Sequence, residues 1–253
     1  MDIKKKILPT VKLKHLHLIS ASTPNYKDIM TEVVGYKNNW FTRKFQFIKQ
    51  FKIAYLITNE IRNVNPNDLE WQEKTCPIKK PNNIDFISFQ AMMELQALLG
   101  EGANEENMLQ VITQSISIVC YCENNEGDYK SDGREFEDFK NKILNYSFKE
   151  MFGLYNWIVK DMQRSVNDWN ERFFSVEIED KDYQQAGGSR MSQFNVINTI
   201  KSICEDFNLP FKEAWQLSYN LVQTNSYSKA TQNHIQDNMR QIKEAKMKAS
   251  RSQ

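Results

Sequence analysis

Residues 148–173, FKEMFGLYNWIVKDMQRSVNDWNERF, decide what kind of fold this chain adopts. Their large apolar side chains recur at alternating steps of four and three, at Phe148, Phe152, Tyr155, Val159, Met162, Val166, Trp169 and Phe173. That spacing puts these side chains on one side of a helix, and Ser147 with Glu150 forms a capping-box pattern at its start. At about 1.5 Å per residue the helix spans roughly 39 Å, which predicts a structural core element.

The apolar face of this helix is wider than a two-helix seam. Met151 and Ile158 extend it on one side. The other side is polar, with Lys149, Asn156, Gln163 and Asn170. Because the seam is broad and lacks flanking charge pairs, the pattern favours a core helix of a multi-helix domain. A homo-oligomer built on a coiled coil is the alternative.

Composition is that of a soluble globular protein. The 253 residues are 40 % hydrophobic and 26 % charged, enough to bury a core. A net charge of +1 gives no global field to attract nucleic acid or an anionic membrane. No apolar run approaches the ~20 residues that span a bilayer, and residues 1–20 lack the apolar centre of a secretory signal. Four sparse cysteines indicate reduced thiols in the cytosol.

Turn residues and periodicity predict a mainly α protein, a multi-helix bundle with a small N-terminal β element. Val11 and Leu13 share one face, Leu16 and Leu18 the other, and this flip predicts a strand with a bulge near His15. The predicted segments are an N-terminal strand and helix (1–62), an irregular connector (63–84), a helical core domain (85–176), a linker (177–190), a C-terminal helical group (191–225) and a basic tail (226–253). The tail is predicted to be a solvated helix, or disordered until it meets a partner.

Within these segments, helical spacing predicts individual helices. The first is predicted at residues 40–62, where a strand is the alternative, and the second at 85–99. A third helix is capped by Asn104 and ends near Cys120, and two more are predicted at 135–144 and 194–207. The last is a single helix that bears Phe211, Trp215, Tyr219 and Val222.

The sequence offers little catalytic or metal-binding chemistry. Asp128, Asp132 and Gly133 resemble part of a calcium loop, but Lys130 and Phe139 occupy two ligand positions, so a plain polar loop is favoured. Two candidate metal sites are also incomplete. His15 and His17 lack a third ligand, because the only other histidine is the distant His234. Cys120-x-Cys122 lacks the second cysteine pair of a zinc site. The sequence therefore predicts no enzyme, no metal and no cofactor.

Two further readings concern charged segments. The stretch from Glu171 to Asp182 could bind magnesium in a metal-dependent hydrolase, although a hydrophilic linker explains it better. The ends of the chain are basic, with Lys4, Lys5, Lys6, Lys12 and Lys14 at the start and Lys229, Arg240, Lys243, Lys246, Lys248 and Arg251 near the end. A nucleic-acid-associated protein acting through these ends is the main alternative function, although the clusters lack interleaved aromatic residues.

The predicted partner-binding residues lie in the C-terminal third. Phe211, Trp215 and Tyr219 follow one another at steps of four and would form an aromatic stripe on one helix. The alternative is that they pack on the helix at 194–207. Lys243 and Lys246 of the basic tail complete the predicted set.

The layout from Ile84 onward resembles tail assembly chaperones and baseplate hub chaperones of tailed bacteriophages. The resemblance is carried by the helix Phe86 to Leu99, the break Asn104 to Asn107, the helix ending in Cys120, the stretch Phe139 to Trp157, the segment FKEAWQLSY at 211–219 and the basic tail. It implies a non-enzymatic protein without a cofactor that binds other phage structural proteins in the host cytoplasm, with the finished virion as a second location. The N-terminal strand and the connector have no counterpart there, so a virion connector or hub protein is the alternative.

Overall fold

The computed structural model describes residues 11–15, 18, 25–34, 53–55, 57–59, 69–70, 76–102, 107–176 and 194–251. These residues are mainly helical, which confirms the predicted class. The α-helices in chain order are α1 Tyr26–Glu32, α2 Phe89–Gly100, α3 Met108–Asn124, α4 Arg134–Ile143, α5 Phe148–Phe174, α6 Asn195–Phe207, α7 Phe211–Gln216 and α8 Tyr219–Arg251. Across the described part of the chain, no helix is both long and apolar enough to span a bilayer.

Most of the helices predicted after residue 84 are found within a few residues of their expected bounds. This holds for α2, α3, α4, α5 and α6. The predicted cap Asn104 and most of the predicted helix at 40–62 lie outside the described residues, although 53–55 and 57–59 are helical.

The chain forms two compact units, and neither is continuous in sequence. The first unit contains residues 1–81 and 93–160, and the second contains residues 82–92 and 161–253. Helices α2 and α5 therefore each contribute residues to both units. The six segments predicted from composition stay predictions, and the units follow spatial packing instead of chain order.

In the first unit, α3 is buried along most of its length and packs against α4. Its polar side chains are largely satisfied within the helix. The Thr113 hydroxyl donates to the Leu109 carbonyl at 2.8 Å, and the Ser117 hydroxyl donates to the Thr113 carbonyl at 2.7 Å. Such bonds to the preceding turn allow hydroxyl groups to sit in an apolar core at low cost.

Aromatic rings join α3, α4 and the intervening loop. The Tyr121 ring centroid lies 6.4 Å from that of Tyr129, 5.6 Å from that of Phe136 and 6.1 Å from that of Phe139. The Tyr129 hydroxyl donates to Glu94 Oε2 at 2.6 Å. The loop that resembles part of a calcium loop is thus fixed by a buried tyrosine that points away from solvent.

The described N-terminal residues do not form the predicted strand. Lys12 makes an isolated antiparallel bridge with Ser147, and Leu13–His15 is a 3-10 turn closed by the His15 N–H to the Lys12 carbonyl at 3.0 Å. The predicted alternation is nevertheless seen in burial, because Val11 and Leu13 are buried while Lys12 is exposed. The backbone pairs briefly with residues 144–148 and then turns, so the periodicity marks a short contact and no bulged strand is seen among residues 11–15.

Helix α5 confirms the broad apolar face that the sequence predicts. Met151 and Ile158, the residues flanking the predicted seam, are fully buried, whereas Tyr155 and Val159 of the seam are half-buried. The burial arises within a single chain, so it explains this face without a second copy.

In the second unit, the predicted single helix through Phe211 and Val222 is wrong, because the chain forms two helices. The Leu217 carbonyl accepts the Phe89 N–H at 2.8 Å, and the Tyr219 N–H donates to the Ile87 carbonyl at 2.8 Å. Leu217 is extended, with φ −61° and ψ 147°. Pairing with residues 87–89 therefore replaces the helical hydrogen bonds between α7 and α8.

The basic tail is helical, which decides between the two predicted alternatives. Helix α8 begins with buried residues, Tyr219 and Val222, and continues to Arg251. Every side chain described from Asn238 to Ser250 is exposed. These 13 residues therefore extend past the packed part of the helix.

Candidate protein-interaction surface

An aromatic cluster forms around the break between α7 and α8. The Phe89 ring centroid lies 5.5 Å from that of Trp215 and 6.2 Å from that of Tyr219, and the Phe211 ring meets Trp215 edge-on at 6.1 Å. Tyr219 is buried, Trp215 is half-buried and Phe211 is 54 % exposed. The cluster thus runs from the core to the surface.

The predicted aromatic stripe therefore does not exist as one helical face. The structure brings Phe211, Trp215 and Tyr219 together through a fourth ring, Phe89, which lies in the predicted helix at 85–99. Tyr219 packs inward, and Phe211 is the member whose ring is open to a partner. The alternative prediction, packing on the helix at 194–207, is met in part, since α7 also packs against α6.

The two predicted lysines lie elsewhere. Lys243 and Lys246 are exposed on α8, and Lys243 lies 24 residues after Tyr219, roughly 36 Å along a helix of ~1.5 Å rise per residue. The structure does not bring the lysines to the aromatic cluster, so the predicted set divides into two separate locations.

Sequence reasoning missed an apolar stripe on the same helix. Ile235, Met239 and Ile242 are 51 %, 52 % and 55 % exposed. Their spacing of four and three puts them on one face. The signal was present in the sequence, but it was hidden by the polar residues that surround it.

Two lysines lie at this stripe, whereas the acidic residues of the same part of α8 lie on the opposite face together with Lys248. Asp237 and Glu244 each follow a stripe residue by two positions, at about 200°, and so lie on the opposite face. Lys243 borders the stripe, and Lys246 lies on it, four residues after Ile242. The Arg240 guanidinium binds Asp237 Oδ1 at 3.1 Å.

The first half of α8 is held to α6 by a polar contact. The Lys229 ammonium binds Asp206 Oδ2 at 2.6 Å and donates to the Ser202 hydroxyl at 2.6 Å. The hydrogen bond from Lys229, with a second from Asn225, holds the pKa of Asp206 below its ordinary value. The exposed end of α8 thus extends from a fixed base.

A second polar group centres on Arg164 of α5. Its guanidinium binds Asp161 at 2.9 Å, Asp168 at 3.1 Å and Asp85 at 3.3 Å, and it donates to Asn83 Oδ1 at 2.8 Å. The hydrogen bond to Asp161 raises the pKa of Arg164 above its ordinary value. One guanidinium thus binds three carboxylates, and the group fastens residues 83–85 to α5.

The metal sites that the sequence matches only in part are not assembled in the described part of the chain. No group of three or more His, Cys, Asp or Glu side chains able to hold a metal ion occurs there. His15 is buried, and His17 lies outside the described residues, as does the acidic linker after residue 176.

Two of the described thiols, Cys120 and Cys122, are poorly suited to nucleophilic chemistry. Burial raises the pKa of the Cys120 thiol far above its ordinary value, and burial also raises that of Cys122. Both groups are therefore protonated at neutral pH, and the thiolate is the reactive form.

Comparison of the chain with protein-family models, with curated proteins and with solved structures gives no match.

Proposed function

We propose that the chain is a non-enzymatic structural or assembly protein of a tailed phage particle that binds other virion proteins of the tail, hub or connector. The proposal combines the resemblance in layout from Ile84 onward with the surfaces described above. It gives the protein a role in the host cytoplasm during assembly, without a cofactor.

The exposed end of α8 is the observation that supports this proposal best. Ile235, Met239 and Ile242 of α8 are each more than half exposed, and they form an apolar surface that water solvates poorly. Isolated helices of ~12–15 residues are marginal in water, so a bound partner would stabilise these turns. Phe211, the exposed member of the aromatic cluster, offers a second contact.

Affinity capture of the tagged chain from the native host during infection tests the proposal. Tail, hub or connector proteins should elute in constant ratio to the chain, because assembly proteins form defined complexes. An unrelated tagged protein of similar charge is the control. Recovery of ribosomes, of polymerase or of no partner would overturn the proposal.

Nucleic-acid association is the second candidate, favoured by the charge of the end of α8. Residues 236–251 contain five lysines or arginines against two acidic residues. A titration with duplex DNA at two salt concentrations tests it: tight binding with a steep salt slope would support this function, because phosphate contacts release counterions. The double variant Lys243→Glu, Lys246→Glu should then lose binding.

A further inference from the structure

We infer that Ile235, Met239 and Ile242 of α8, named here the α8 stripe, form a docking surface for a partner helix that carries an apolar stripe flanked by aspartate or glutamate. The inference rests on the proposed function and gives the chemistry of the partner. It concerns residues other than Phe211 and the aromatic cluster.

The geometry of the α8 stripe fits a helical partner. At about 100° per residue its three side chains fall within an arc of roughly 60°, which is the width of one ridge in a helix-in-groove contact. Each is at least half exposed, although all three are branched or long apolar side chains that core positions favour. The surrounding helix from Asn238 onward is exposed on all sides, so a second helix has open access.

The charges select an acidic partner. Lys243 and Lys246 lie beside or on the stripe, while Asp237 and Glu244 lie on the far face. A helix that buries its apolar residues on the stripe would bring a flanking position next to Lys243 and the end of its own stripe next to Lys246. Carboxylates there would pair with the ammonium groups, whereas lysines there would be repelled.

The same arrangement disfavours a second copy of this chain. In a parallel pair, Lys246 of each copy would meet its counterpart at the seam. In an antiparallel pair, the two acidic residues would still lie on the outer faces, out of reach of the lysines. Self-association through the stripe therefore concentrates positive charge without compensation.

A membrane surface is also a poorer fit than an acidic helix. Interfacial helices bury a broad face rich in Trp, Phe and Leu. The stripe has three aliphatic residues, a lysine lies on it at Lys246, and the described helix carries no aromatic residue after Tyr227.

Two designed peptides of about three heptads test the inference on the full chain. Both are amphipathic helices with the same apolar stripe; one carries glutamate at the flanking positions and the other carries lysine. Fluorescence anisotropy should show that the glutamate peptide binds and that the lysine peptide binds at least about tenfold more weakly. Lys243→Glu with Lys246→Glu should reverse this preference. Equal binding of both peptides, or binding of neither, would overturn the inference.

Matched methionine variants locate the surface. Met239→Ser should weaken binding of the glutamate peptide about tenfold or more, because it truncates the middle residue of the stripe, and the residues that carry most of the binding energy cluster near the centre of an interface. Met247→Ser makes the same chemical change at a residue that is 54 % exposed but lies outside the arc of the stripe, about 80° around the helix from Met239, and it should change affinity less than about twofold. Circular dichroism of both variants checks that the helix is retained. A similar loss in both variants would contradict the assignment.

Three further measurements distinguish an acidic helix from the other possible partners of the stripe, and they test the inference separately from the proposed function. If sedimentation equilibrium shows a dimer that Met239→Ser abolishes, the partner of the stripe is a second copy of the chain and the inference is overturned. If the chain binds phosphatidylglycerol vesicles more tightly than the glutamate peptide, the partner is a membrane surface and the inference is overturned. If Met239→Ser still captures tail proteins during infection, the inference fails and the proposed function stands. If the glutamate peptide binds but the wild-type chain captures no virion protein, the proposed function fails and the surface stands.

Discussion

Arg164 and Asp85, 79 residues apart in the chain, form an ion pair with Nη2 3.3 Å from Oδ2. Asp85 also accepts a hydrogen bond from the hydroxyl of Ser165, a fully buried residue of α5. One carboxylate thus satisfies both a partly exposed cation and a buried hydroxyl. This pair fastens the 3-10 helix Ile84–Phe86 to α5.

Replacing Asp85 should therefore destabilise the second unit. Asp85→Ala leaves the Ser165 hydroxyl buried without its acceptor, and we expect the free energy of unfolding to fall by about 1–3 kcal/mol. Urea denaturation measures this change. Asp168→Ala removes another partner of Arg164 whose side chain is 50 % exposed, and should cost less than about 1 kcal/mol. Equal losses would show that Asp85 has no special role.

Phe89 should be the most sensitive ring of the aromatic cluster, since it contacts both Trp215 and Tyr219 and is 3 % exposed. Phe89→Ala opens a cavity at the junction of α7 and α8, with an expected loss of about 3–5 kcal/mol. Phe86→Ala is the matched control, because Phe86 is 63 % exposed and should change stability by less than about 1 kcal/mol. Thermal and urea denaturation give both values, and a small effect at Phe89 would contradict the packing.

Two serines on the same helix should respond in opposite directions. The Ser115 hydroxyl is buried and has no hydrogen-bond partner among the described residues, whereas that of Ser117 donates to Thr113. Ser115→Ala removes an unsatisfied polar group and should leave stability unchanged or raise it by up to about 1 kcal/mol. Ser117→Ala should lower it by about 0.5–1.5 kcal/mol. Denaturation curves that rank the variants in the reverse order would refute this prediction.

The buried Cys120 thiol should make stability fall at alkaline pH. Burial raises the folded-state pKa of Cys120 far above the unfolded value of about 8.5. The contribution of the protonated thiol to the free energy of unfolding is therefore fully present below pH ~8.5. It is lost as pH rises above that value, because only the unfolded chain then releases the proton.

Above pH ~8.5 we expect the free energy of unfolding to fall by up to about 1.4 kcal/mol per pH unit because of this thiol. Cys120→Ala removes this term, so the difference in unfolding free energy between wild type and variant should shrink between pH 8 and about pH 10. Urea denaturation over that range measures it. A difference that stays constant with pH would show that the thiol ionises equally in both states.

The sequence predicted those features that depend on local spacing. The apolar steps of four and three in residues 148–173 correspond to a helix at Phe148–Phe174, and the flanking Met151 and Ile158 are buried as the broad face requires. A helical period is a property of neighbouring residues, so it can be recognised without knowledge of the rest of the chain. The exposed stripe of α8 was readable in the same way, at Ile235, Met239 and Ile242, although three residues in a polar context gave a weak signal.

Only the tertiary structure decided the features that depend on distant backbone. Residues 211–222 have a regular helical pattern, yet the chain breaks at Leu217 because residues 217–219 hydrogen-bond to 87–89. The burial of Tyr219 and the exposure of Phe211 follow from that break. The pairing partner lies about 130 residues away in the chain, and no local propensity encodes it, because tertiary contacts override local preference wherever they satisfy the backbone equally well.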